Sequence, residues 1–292
     1  MVVRTARGGH DVCMNRKQTA VITGASSGIG KATALAYARR GWAVVLGARR
    51  KEHLEEVADQ CRKAGGEALA VVTDVAVEEQ VQNLVRSAVE AFGGLDVMVN
   101  NAGFGHYGRV HEVGSEDMRH IFDVNFHGLF YGCKAAAGVM IRKGGGHIFN
   151  VSSVIGKRGS PFNGAYSASK FAVCGLTESM RVEMRSYNVN VTLVCPGLTR
   201  TEFFGNVRGR TSSEGYQSSF VRLRTMMDPQ KVARKIVAIT GRKVPQVVFT
   251  PGGKFLVLAA SLSPRFADWL MKFYHDDLLR RQEQTQATRQ GG

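Results

Sequence analysis

The chain has 292 residues, 44% of them hydrophobic and 22% charged, a globular composition that excludes a disordered or collagen-like polymer. Its 39 Lys and Arg against 24 Asp and Glu leave a formal charge of +15, which attracts nucleotides, nucleic acid, acidic proteins and anionic lipid without choosing among them. With 34 glycines but only 6 prolines, the glycine excess points to tight turns in working loops rather than to a linker.

Residues 1–16 show no apolar periodicity, and a disordered extension is expected there, with residues 1–13 dispensable for stability. No stretch has the continuous apolar length of a secretory signal or a membrane span, so a cytoplasmic location is expected. Cys13, Cys61, Cys133, Cys174 and Cys195 are scattered without a CxxC pair, which fits reduced thiols.

From residue 17 onward short Val/Ile/Leu-rich runs alternate with longer helical patterns. The runs are Thr19 to Thr23, Ala43 to Ala48, Ala68 to Asp74, Asp96 to Ala102, His147 to Ser153, Asn190 to Gly197 and Gln246 to Thr250. Helices are expected near 28–40, 51–64, 77–92, 115–142, 164–187 and 228–240. Seven strands with helical crossings predict one α/β domain, a doubly wound parallel sheet covered on both faces. Its expected bounds are 17–253, with a polar stretch at 198–227 read as a lid, followed by a helical appendage and polar tail at 254–292.

The first strand runs into Thr23-Gly24-Ala25-Ser26-Ser27-Gly28-Ile29-Gly30 and then a helix. Glycines stand where a backbone turns sharply and approaches a phosphate, and the helix N-terminus offers free N–H groups and positive dipole. The spacing, G-x3-G-x-G, differs from the GxGxxG fingerprint, and taken alone it is also that of any tight βα turn. Tyr166 and Lys170, four apart on a helix, share one face, where an ammonium favours the phenolate of a tyrosine whose free pKa is near ~10. The same spacing also describes a packed Tyr beside a surface Lys. Ser152 and Ser153 end the fifth strand, where a hydroxyl either points into the cleft or satisfies local backbone.

These stretches, with Asn100-Asn101-Ala102-Gly103 after the fourth strand, Tyr166-Ser167-Ala168-Ser169-Lys170 and Cys195-Pro196-Gly197, resemble the short-chain dehydrogenase/reductase family over residues 17 to 250. The resemblance implies a Rossmann fold and a nicotinamide cofactor. Tyr166 would exchange the proton with the substrate oxygen, and Lys170 would tune it and hold the nicotinamide ribose. Ser153, thirteen residues before Tyr166, would be the catalytic serine, and Asn125 would support a water that relays protons. An Asn within a helix equally serves by hydrogen-bonding backbone. By family position Gly24, Ser26, Ser27, Gly28, Ile29 and Gly30 would cradle the phosphates. Asp74 and Val75 would flank the adenine, Asn101, Ala102 and Gly103 the adenosine ribose, and Pro196, Gly197, Thr199 and Thr201 the carboxamide. Thr199 departs from the aliphatic residue usual there.

The second strand ends in Arg49-Arg50, with no acid to bind the ribose hydroxyls of NAD. Guanidinium suits a 2′-phosphate, so NADP(H) is expected; the other reading of these arginines is a solvated helix start. The eight histidines share no ligand spacing, and no metal is expected.

Between Arg200 and Lys243 ten basic residues face three acids, either steering anions or forming a solvated face. Phe203, Phe204, Phe220, Met226 and Met227 either line an apolar substrate pocket or pack on the core. After Ser263-Pro264, a cap and first turn, Phe266, Trp269, Leu270, Phe273, Tyr274 and Leu278 form an apolar stripe. It packs on the domain or a sister subunit, or lies on a membrane.

The expected function is an NADP(H)-dependent oxidoreductase acting on a lipophilic carbonyl or secondary alcohol, assembled as a homodimer or homotetramer through the two long helices. The alternatives are a 3-oxoacyl-carrier-protein reductase and a non-catalytic nucleotide-binding scaffold. No nucleic-acid module accompanies the charge.

Overall fold

The computed structural model describes residues 16–203, 207, 209, 226–269, 271–273, 275, 276 and 280. The expected extension before Arg16 lies outside them, as do Cys13, Phe204, Phe220, most of the basic lid residues, Leu270, Tyr274 and Leu278.

Seven strands, β1 (Thr19–Thr23), β2 (Ala43–Ala48), β3 (Glu67–Val72), β4 (Val97–Asn100), β5 (Gly146–Val151), β6 (Val189–Cys195) and β7 (Gln246–Val248), form one sheet in the order β3-β2-β1-β4-β5-β6-β7. Every pairing is parallel. The helices are α1 (Gly28–Ala38), α2 (Lys51–Lys63), α3 (Glu78–Phe92), α4 (Ser115–Phe122), α5 (Gly128–Lys143), α6 (Gly164–Glu183), α7 (Pro229–Ala238) and α8 (Pro251–Leu262). The strand order reverses between β1 and β4, the switch point beyond whose carboxyl ends open α/β sheets bind ligands.

Strand periodicity divides the core in two. Ala20, Ile22, Val44, Leu46 and Val99 pack against α1, α2 and α7 on one face. Val21, Val45, Met98, Ile148 and Leu193 pack against α3, α5 and α6 on the other. Leu46, Leu54 and Leu84 are fully buried, so truncating any of them to Ala costs about 2–5 kcal/mol. Cys61, Cys133, Cys174 and Cys195 are buried free thiols.

The structure corrects several expected bounds. β3 ends at Val72 rather than Asp74, β4 at Asn100 rather than Ala102, β5 at Val151 rather than Ser153, β6 at Cys195 rather than Gly197, and β7 at Val248 rather than Thr250. Thr73, Asp74, Asn101, Ala102, Ser152, Ser153, Pro196, Gly197 and Thr250 leave the ladder to line the cleft, while Phe249 packs on the core. The helix expected over 115–142 is two helices joined by a π-turn at Asp123–His127, in which the Gly128 N–H reaches back five residues to the Asp123 carbonyl. Glycine is required there, because a Cβ on Gly128 would lie 2.8 Å from the Val75 side chain. The helix ending near 187 closes in a 3-10 turn from Met184. α8 begins at Pro251, so the boundary expected after residue 253 falls inside a helix.

Candidate active site

The turn from β1 to α1 is held from a distance. Thr23 Oγ1 accepts hydrogen bonds from the backbone N–H groups of Asn101 (2.9 Å) and Ala102 (3.1 Å), and the Asn101 amide donates back to the Thr23 carbonyl (3.0 Å). A Cβ on Gly30 would sit 2.2 Å from the Gly24 carbonyl oxygen, and Gly24 itself has φ of +64°. Ser27 is extended and its side chain makes no capping hydrogen bond, which leaves the first N–H groups of α1 open to an anion.

At the end of β2, Arg49 and Arg50 are exposed beside this loop. Arg50 donates to Ser26 Oγ (3.3 Å) and pairs with Glu202 at 2.7 Å. β2 and the two arginines that follow it contain no acid of their own, and the carboxylate beside Arg50 comes from Glu202, beyond β6. Asp74 shapes its own turn, its carboxylate accepting from the Ala76 N–H at 3.0 Å, and Val75 is buried.

The two serines after β5 have different surroundings. Ser152 is buried, and its hydroxyl donates to the Lys170 carbonyl at 2.9 Å. Ser153 is half-buried, caps the short turn at Val154–Gly156 through a 3.4 Å bond from Ile155 N–H, and lines the cleft. Lys170 is 3% exposed, and its ammonium donates to the Val151 carbonyl (3.0 Å) and lies 5.8 Å from the centre of the Tyr166 ring. Burial pushes its pKa down to about 8, countered by the neighbouring Cys174 and Cys195 sulfurs. Phe203 packs on Tyr166 with ring centres 5.5 Å apart.

Asn125 sits in the π-turn, fully buried. Its Oδ1 accepts from Phe104 N–H (2.9 Å), and its amide donates to the Phe104 carbonyl (3.0 Å) and to Ser169 Oγ (3.1 Å). The side chain therefore ties the segment after β4 to α6, next to Lys170.

Beyond β6, Thr199 Oγ1 donates to the Gly197 carbonyl and Thr201 Oγ1 accepts from Phe203 N–H. An isolated parallel bridge joins Thr199 to Met227. Of the residues expected at the site, all but Gly30 and Asn125 line one cleft of about 580 Å3. Phe104, Ile155, Asn163, Thr250, Gly252 and Gly253 also line it, and the sequence reading missed them. The signal for the last three was present: Thr250 caps α8 by accepting from Gly253 N–H (3.1 Å), with Pro251 in the first turn. Among the described residues no three His, Cys, Asp or Glu side chains gather at metal spacing.

Residues 18–211 match the family model described as short chain dehydrogenase. A 3-oxoacyl-[acyl-carrier-protein] reductase of Synechocystis sp. is 36% identical over 75% of this chain and 87% of that protein. A short chain dehydrogenase/reductase from Burkholderia phymatum, solved in complex with NAD, superposes with a TM-score of 0.79 at 30% identity, over 86% of this chain and 95% of that one. An alcohol dehydrogenase from Thermococcus sibiricus, complexed with 5-hydroxy-NADP, gives 0.70 at 30% identity, over 80% and 95%.

Proposed function

The chain belongs to the short-chain dehydrogenase family, and on that premise we propose that it is an NADP(H)-dependent oxidoreductase of lipophilic ketones, aldehydes and secondary alcohols. The observation that carries this reading is the convergence of Ser153, Tyr166 and the buried Lys170 on the cleft that the glycine turn also lines. The residues fit a dinucleotide. Gly24 and Gly30 admit no side chain because the Asn101–Ala102 segment and the Gly24 carbonyl already fill that space, which keeps the turn tight, and the open start of α1 suits a pyrophosphate.

A bound nicotinamide supplies or accepts the hydride. Tyr166 gives a proton to the substrate oxygen or takes one from it, and Ser153 donates a hydrogen bond to the same oxygen. Lys170 favours the phenolate electrostatically, and its buried ammonium exchanges protons more readily than a solvated one. Asn125 acts through position, fixing the Phe104 backbone and α6 so that this wall of the cleft keeps its shape.

The case for NADP(H) rests on Arg49 and Arg50 at the end of an acid-free strand, since guanidinium pairs with phosphate in a strong, forked geometry. Solved neighbours carry either cofactor, so the preference stands on these residues. Phe203 against Tyr166 gives the reacting end an apolar wall that suits a lipophilic substrate. Exposed Phe130 on α5 and Phe171 on α6 support assembly into a homodimer or homotetramer through these helices, and the unpaired cysteines favour a cytoplasmic protein.

Paired titration of the purified protein with NADPH and NADH, followed by quenching of tryptophan emission, tests the reading. Tighter NADPH binding is expected; equal or tighter NADH binding overturns the arginine argument, and no binding overturns the enzyme.

A further inference from the structure

The chain continues past β7 into α8 and a second helical segment from Pro264 onward. Along these two segments Phe255, Leu258, Leu262, Phe266, Trp269 and Phe273 recur at steps of three and four. On a helix that spacing gathers side chains onto one stripe. A stripe of this kind ordinarily faces the core. Here every one of the six is exposed, between 42% and 76%.

The opposite side is the one fixed to the body. Ala259 and Ala267 are buried, Asp268 pairs with Arg158, and the His275 ring stacks on Phe162 at 5.4 Å with planes 4° apart. Gly253 abuts Val154 next to the catalytic serine, since a Cβ there would lie 2.8 Å from the Val154 side chain. The apolar surface is thus held firmly beside the mouth of the cleft and stands exposed among the described residues.

Charge selects what covers it. Lys254, Arg265 and Lys272 are exposed along the same segments, and among the described residues none of them has an ion-pair partner. Of the nearby acids, Asp268 pairs with Arg158, and Asp276 lies 3.2 Å from His275 Nδ1. A second copy of the chain would bring like charges together on a molecule already at +15. An anionic bilayer accepts both features, aromatic and aliphatic side chains at the acyl boundary and ammonium and guanidinium groups among the headgroups.

We propose that α8 and the helical segment after it form a monotopic docking surface for anionic membranes, seating the protein peripherally with its cleft beside the lipid. No helix among the described residues is long and apolar enough to cross a membrane, and the surface lies on the bilayer without spanning it. This inference does not depend on the cofactor or the reaction.

The test uses the purified full chain and vesicles of phosphatidylcholine alone or mixed equally with phosphatidylglycerol. Flotation at low salt is expected to show at least about tenfold stronger partitioning onto the anionic vesicles, weakened by high salt. In a Trp42→Phe background Trp269 is the sole tryptophan, and its emission should shift to the blue and be quenched by brominated acyl chains. The triple variant Phe266→Glu, Trp269→Glu, Phe273→Glu should lose vesicle binding while its melting temperature and nucleotide affinity stay unchanged. A full chain that remains soluble with anionic vesicles overturns the proposal. So does vesicle binding by the triple variant, or self-association that the triple variant abolishes in a chain that does not float.

Discussion

Arg50 and Glu202 meet at 2.7 Å, joining the turn after β2 to the segment after β6 along one side of the cleft. The same guanidinium reaches Ser26 in the glycine turn. A carboxylate therefore rests on the cation expected to receive a 2′-phosphate, and cofactor binding would exchange one anion for another.

Removing that competitor should favour the phosphorylated cofactor. Glu202→Gln is expected to tighten NADPH about two- to fivefold, the scale of one exposed ion pair, with NADH unaffected. Arg50→Ala should weaken NADPH about ten- to a hundredfold and leave NADH within about twofold. Fluorescence titration at two salt concentrations reads both, and a Glu202→Gln effect equal on both cofactors would show that the carboxylate does not act at the phosphate.

Tyr166→Phe keeps the ring against Phe203 and removes the hydroxyl. Turnover should fall about 10²- to 10⁴-fold, the range of a lost acid–base group, with NADPH affinity nearly unchanged. Steady-state rates alongside binding separate the two, and an active Phe variant refutes the assignment.

Lys170 is a buried cation, with a pKa lowered in the folded state to about 8 from an ordinary 10.5. Between these values the unfolded chain binds a proton that the folded chain does not, so this group adds stability as pH rises from about 8 to 10.5. Below that window folding carries the full desolvation penalty. Lys170→Met should flatten the stability curve over the same range and abolish activity, as denaturant titrations from pH 7 to 10.5 would show.

His147 is buried where β5, β6 and the approach to β7 meet. Its Nδ1 accepts from Gly241 N–H (3.1 Å), which leaves Nε2–H to donate to Thr192 Oγ1 (2.9 Å), and the ring stacks on Phe149 at 3.9 Å. Burial pushes its pKa down to about 3 from 6.5. The folded state holds it neutral, so stability is lost as pH falls through this interval, where the unfolded chain takes up the proton first. His147→Gln should be less stable than the parent at pH 7 but lose less on acidification to pH 4, measured by melting temperature against pH.

Gly30→Ala places a methyl 2.2 Å from the Gly24 carbonyl. The turn must open, and nucleotide affinity is expected to drop more than about tenfold with a melting temperature lowered by several degrees. Alanine at Gly41, which has nothing within 4 Å but φ of +76°, serves as the comparison, because it carries backbone strain without a clash and should leave affinity intact.

The fold was legible where burial is uniform. β1 and β2 begin and end as their apolar runs do, because every residue in them is buried. The other strands were read too long at the end that matters, since Asp74, Ala102, Ser153 and Gly197 continue the pattern while turning out of the ladder into the cleft. The π-turn was invisible, for apolar spacing runs through Asp123–His127, and only the Gly128 N–H bond back to the Asp123 carbonyl and the close approach of Gly128 to Val75 mark the change. Ser153 was preferred to Ser152 on the interval to Tyr166 that the family resemblance implies; in the structure both line the cleft, the Ser152 hydroxyl donating to the Lys170 carbonyl. Glu202 left no trace in the sequence, because its partner is 152 residues away. In the tail the stripe itself was readable, but not its direction, which is set by the small Ala259 and Ala267 on the other side.

The bonds from Thr23 to Asn101 and Ala102 span 78 and 79 residues of chain. The glycine turn, which also donates from Ala25 N–H to the Gly47 carbonyl of β2, takes much of its shape from a segment made much later in sequence. During synthesis the first βα unit would emerge with an unformed phosphate cradle, and nucleotide affinity would arise only once β4 had docked beside β1. Cofactor capture is then a late event that reports on the assembled sheet, and the ligand acts as a proofreader of topology, rewarding only chains whose halves have already found each other.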